Sequence, residues 1–164
     1  MLRSLLGCSG FIAAAFAGSV MAQTAVVAER SISVGGAHDA AMAAMEQCRK
    51  DGFRVTVTVV NRAGQIKAVI RDDGTGPHTV ENSFRKAYTA ATFRIATGEI
   101  AKRQSGTLGS VALLQLSNVT PGEGALPIRS KDEVIGAIGV SGAPGGDKDA
   151  VCAQVGIDKI ASGL

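Results

Sequence analysis

The chain has 164 residues, with 17 Lys and Arg against 14 Asp and Glu and a formal net charge of +3. With one Tyr, no Trp and no basic cluster interleaved with aromatic residues, it gives no support to nucleic-acid binding. It has only two histidines, His38 and His78, and no His-x-x-x-His or Cys-His spacing, so a closed zinc site is not expected.

At the N-terminus, Arg3 supplies a positive charge, Leu5 to Val20 are apolar or small, and Val20-Met21-Ala22 resembles a signal-peptidase site. Residues 1–22 are therefore expected to be a cleaved signal peptide, leaving 23–164 as one domain of formal charge +2 in the periplasm. No later apolar stretch is long and uninterrupted enough to span a bilayer, so the mature chain is expected to be soluble and free of membrane. Cys8 leaves with the signal. Cys48 and Cys152 remain, either as two buried thiols or as a disulfide suited to an oxidising compartment.

In chain order, Val34, Ala37, Ala41, Ala44, Met45 and Cys48 recur at a helical period, and Gly52 stops that helix. Phe53 to Val60 alternates and is β-branched, Asn61-Arg62-Ala63-Gly64 is a turn, and Gln65 to Arg71 returns as a second strand. A polar loop over 72–78 leads to a helix capped by Thr79, with apolar positions at Val80, Phe84, Ala87, Tyr88, Ala91 and Ile95. Thr97 starts a short helix, and residues 105–118 fit either a helix or a strand. Leu126–Arg129 and Val134–Ser141 form a second hairpin; Gly136 and Gly139 in its second strand leave room for another backbone or a ligand. A Gly/Pro loop over 142–146 precedes a last helix that begins at Asp147 or Asp149. The two hairpins demand antiparallel pairing, so the fold class is α/β (α+β), an antiparallel sheet with helices packed on it.

Several segments resemble the GlcG/HbpS-like haem-binding family, and also the C-terminal domain of PduO-type proteins. They are Val57-Thr58-Val59-Val60-Asn61-Arg62-Ala63-Gly64, Arg71-Asp72-Asp73-Gly74, Lys86-Ala87-Tyr88-Thr89-Ala90, Gly124-Ala125-Leu126-Pro127-Ile128 and, most specifically, Val134 to Ala143 followed by Asp149. Asn61 stands where the family usually has Asp, which puts any acid role at that position in doubt. The resemblance implies a profilin-like or PAS-like sandwich with a five-stranded antiparallel sheet. It also implies that the first and last helices are neighbours, which brings Cys48 and Cys152 within reach of a disulfide. It further implies a haem or other tetrapyrrole ligand and a homo-oligomer, possibly an octamer.

Among the residues themselves, His78 in the polar loop is the first candidate for a single axial ligand of haem iron, ahead of His38. Tyr88 and the methionines read better as core. Arg71, Lys86 and the Gly142 loop before the last helix are candidates for holding a carboxylate such as a haem propionate. No catalytic set is assigned: Ser141 lacks a G-x-S-x-G elbow, and both cysteines sit on apolar helix faces. Three functional readings follow: a periplasmic haem-binding protein in haem or iron handling or redox sensing, an enzyme or accessory protein acting on a small organic acid as relatives near glycolate metabolism suggest, and an oligomeric structural or interaction protein.

Overall fold

The computed structural model describes residues 25–104 and 112–164. The expected signal peptide, and residues 105–111 of the segment left open between helix and strand, lie outside the described residues.

The first helix, α1, spans Val34–Lys50, with the Ser33 hydroxyl accepting the Gly36 N–H at its start and Arg49 and Lys50 in its last turn. Its buried stripe is almost entirely alanine, with Met45 and Cys48, so it lies close on the sheet. Val34, expected on that stripe, is 66% exposed because the helix starts there and faces outward. The hairpin follows as β1 (Thr56–Asn61) and β2 (Ile66–Arg71). Its turn is fixed by the Asn61 side-chain oxygen, which accepts from the Ala63 and Gln65 N–H groups, and by Gly64 at φ +76. The second hairpin is β3 (Ala125–Ser130) and β4 (Glu133–Ser141).

All pairings are antiparallel in the order β2-β1-β4-β3. The sheet of the described residues has four strands, not the five that the resemblance implied. The long first and last helices, α1 and α4 (Gly146–Ile160), cover one face. There Val55, Val57, Val59, Ile128, Ile138 and Val140 meet the alanine stripe. The other face is covered by α2 (His78–Phe93), with α3 (Thr97–Gln104) beside it.

The α2 layer departs from the expected pattern. Thr79 is no cap: Pro77 occupies that position without a side-chain hydrogen bond. Val80 is 40% exposed, and the buried face is Thr79, Ser83, Lys86, Ala87, Thr89, Ala90 and Ala91. The physical reason lies in the sheet, which presents hydroxyls and a glycine here. Thr79 Oγ1 is 2.7 Å from Thr56 Oγ1, and Ser83 Oγ is 2.8 Å from Thr58 Oγ1. A Cβ on Gly139 would collide with the Ser83 carbonyl and the Ala87 amide. Gly139 thus admits the α2 backbone itself, as the sequence led one to expect, and large apolar side chains have no room between helix and sheet.

Two clamps hold α1. At its C-terminal end Arg49 pairs with the buried Asp72 through Nε and Nη2, at 3.0 and 2.7 Å. These hydrogen bonds hold the Asp72 carboxyl below its ordinary range, against the opposing effect of burial. The second clamp is a disulfide between Cys48 of α1 and Cys152 of α4, with Cα atoms 5.6 Å apart and both residues fully buried. It spans 104 residues. By the chain-entropy argument a loop of that size is worth about 4–5 kcal/mol. The double replacement Cys48→Ser, Cys152→Ser is expected to lower the unfolding free energy in urea by about that amount. A loss below about 1 kcal/mol would show that the bridge contributes little.

Candidate functional site

The site is built where the start of α2 meets the end of β4. Because β4 lies directly beneath α2, the first turns of the helix face the strand's last residues and the loop after them. Asn82 donates from Nδ2 to Ser141 Oγ at 2.9 Å. One turn on, Lys86 donates from Nζ to the Val140 carbonyl at 3.0 Å and to Asp149 Oδ2 at 2.8 Å. The Lys86 and Asp149 side chains are only 6% and 4% exposed. Asp149 sits in the first turn of α4 and accepts the Ala143 N–H at Oδ1, 3.0 Å away. Burial pushes its carboxyl above the usual carboxylate range, and the charge and hydrogen bond of Lys86 offset only part of that rise. Gly124, at φ +124, closes over the pair. A Cβ there would lie 2.7 Å from Lys86 Nζ and 2.8 Å from Asp149 Cβ.

This arrangement floors a cleft of about 410 Å³ lined by His78, Asn82, Lys86, Glu123, Ser141 and the loop over 142–146. A second cleft of about 410 Å³ lies on the other side of His78, with Phe53, Arg54, Thr75 and Thr79 on its wall. His78, Gly142 and Pro144 line both, so the two clefts meet at the imidazole. His78 is exposed and has no hydrogen-bond partner among the described residues. Lys148 lies 5.5 Å from the centre of the Phe53 ring and adds a cation beside that wall. Among the described residues no group of three or more His, Cys, Asp or Glu is placed to hold a metal ion, and no helix is long and apolar enough to cross a membrane.

Of the residues singled out in the sequence, His78, Lys86 and Gly142 come together on one cleft. The Lys86 ammonium is turned to Asp149 and Val140, within the floor of the site. Arg71 lines neither cleft; its guanidinium donates to the Thr75 carbonyl and braces the loop that delivers His78. His38 stands on α1 outside both clefts, 3.1 Å from Asp39. Asn82 and the partnership of Asp149 with Lys86 were missed. Asn82 had a readable signal, since it falls four residues after His78 and four before Lys86, on one helix face.

This fold agrees with what known proteins show. Residues 32–158 match the family model described as haem degrading protein HbpS-like, and the chain belongs to that family. It is similar to Protein GlcG of Escherichia coli K12, with 30% identity over 99 residues that span 60% of this chain and 72% of GlcG. Among solved structures it is similar to a double mutant of HbpS from Streptomyces reticuli, at a TM-score of 0.77 and 34% identity, covering 87% of this chain and 96% of that one. It is also similar to the protein in the PduOC:heme complex, at a TM-score of 0.71 and 25% identity, covering 79% and 95%.

The floor of the cleft makes a sharp prediction. Lys86→Met leaves the Asp149 carboxylate buried without its cation and is expected to cost about 3–5 kcal/mol in urea unfolding. Adding Asp149→Leu is expected to restore most of that loss. Equal damage in the single and double replacements would contradict the pairing.

Proposed function

We propose that this chain is an exported haem-binding protein that holds the tetrapyrrole at the joined clefts, with His78 as an axial ligand of the iron. The observation that carries the reading is the unpartnered, exposed imidazole standing between two clefts. The donor set fits the group. A free ring nitrogen is available for one-sided ligation. Phe53, Ala143 and Pro144 offer apolar surface beside the imidazole. Arg54 and Lys148 lie on the Phe53 side, where propionates find cations. Family membership and the haem held by the PduOC relative support the same reading. Haem bound here supplies iron redox chemistry. The chain's own residues position it: α2 presents His78, Arg71 braces the preceding loop, and the Lys86–Asp149 pair fixes the loop after β4.

Export to an oxidising compartment is part of the proposal. The charged, apolar and small-residue pattern of residues 1–22 supports it, as does the Cys48–Cys152 bridge, which persists where thiols are not kept reduced. So is assembly as a homo-oligomer, which the resemblance to the family implies.

Titrating purified protein with haemin is expected to give a shifted Soret band that saturates at one haem per chain. His78→Ala is expected to weaken binding at least about tenfold, some 1.4 kcal/mol, and to change the band position. Indistinguishable spectra and affinities for the two proteins would reject His78 as the ligand.

A further inference from the structure

The sequence holds two Asp-Gly pairs, Asp51-Gly52 after α1 and Asp73-Gly74 in the loop between β2 and α2. All four residues are exposed, and both glycines have positive φ, +82 and +73. In such a pair the backbone nitrogen of the glycine reaches the aspartyl carboxyl easily, because no side chain on the second residue hinders ring closure. What separates the two pairs is hydrogen bonding. Both carboxylate oxygens of Asp51 accept from Gln47 Nε2, at 3.1 and 3.0 Å, and the Gly52 N–H donates to the Arg49 carbonyl at 3.0 Å. At the second pair, among the described residues, the Asp73 carboxylate accepts no hydrogen bond and the Gly74 N–H donates none. The carbonyl between them accepts from Arg54 Nη1 at 2.9 Å. A cation on that oxygen draws charge from the amide and makes the Gly74 N–H easier to deprotonate.

We propose that Asp73-Gly74 is a site of spontaneous aspartate isomerisation, from which Asp51-Gly52 is protected. The Gly74 nitrogen attacks Cγ of the protonated Asp73 carboxyl. The N–Cγ bond forms, and the carboxyl hydroxyl leaves as water with the amide proton, giving a five-membered succinimide. Water then opens the ring. Addition at Cγ restores aspartate. Addition at the former main-chain carbonyl carbon leaves residue 73 joined to Gly74 through its side-chain carboxyl. Water is the only reactant. The carbonyl that Arg54 holds becomes a carboxylate, so the same guanidinium favours the β-linked product. The new linkage lengthens the backbone by one atom inside the loop that delivers His78. Haem takes no part in the step, so failure of either reading leaves the other standing.

The test is peptide mapping of the full chain after prolonged incubation near neutral pH, with electron-transfer fragmentation to tell the two linkages apart. Both aspartates are read in the same sample. β-Linked aspartate is expected to build up at Asp73 about tenfold faster than at Asp51, the ratio that one or two hydrogen bonds carry. In urea, where both pairs lose their partners, the two rates are expected to converge. Gln47→Ala frees the Asp51 carboxylate, and it is expected to raise the rate there while leaving Asp73 unchanged. Absence of β-linked product at Asp73 in the folded chain, when the chain in urea forms it, would overturn the proposal. So would equal rates at the two aspartates in the folded chain.

Discussion

An ammonium and a carboxylate taken out of water are each costly, and they are tolerated only when they meet with good geometry and their remaining valences are filled. Lys86 and Asp149 satisfy those terms from opposite sides of the sheet. The lysine reaches from α2, the aspartate from the first turn of α4, and they meet past the end of β4 with the Val140 carbonyl and Ala143 amide completing the set. The pair therefore ties the two helical layers together at one end of the molecule. The loop over 142–146 is pinned between strand and helix by the same contact, and that loop is half of the cleft wall beside His78. Gly124 is part of the constraint, because any side chain there would displace the lysine.

The disulfide serves a separate purpose at the other side of the sheet. It joins α1 to α4 through a core rich in alanine and valine, whose small side chains bury little area each. A covalent tie between the outer helices suits such a core. The Arg49–Asp72 pair adds a polar tie at the end of α1, next to the loop that leads to His78. The site residues thus stand on a rigid frame: one wall is the start of a helix braced by Arg71, and the other is a loop pinned by a buried ion pair.

How much of this was legible differs from element to element. The two hairpins were plain, since Val55, Val57 and Val59 alternate with threonines and Asn61 to Gly64 is strong turn chemistry. The alanine stripe of α1 was equally plain. The buried face of α2 was not, because the period of its large residues points at Val80 and Phe84 while the helix buries Thr79, Ser83 and Lys86. The clue was in another element: Gly139 signalled a close backbone approach, and only small or polar residues fit opposite it. A buried lysine cannot be paired with its aspartate from spacing alone when 63 residues separate them. Lys86 therefore read as an anion-binding group for a ligand, although its partner is within the chain. The sheet of four strands, where the resemblance implied five, shows the reverse limit: family likeness carried the layer order and the helix neighbourhood better than it carried the strand count.

The central claim is that haem sits against His78 in a cleft framed by the start of α2 and the loop after β4. Ferric haem relaxes nearby nuclei, so adding it to the isotope-labelled chain and recording amide NMR maps its place directly. The account predicts signals lost around residues 53–54, 76–82 and 141–146, with those around 30–36 and 159–163 retained. Signals lost chiefly elsewhere, with residues 76–82 unaffected, would contradict it.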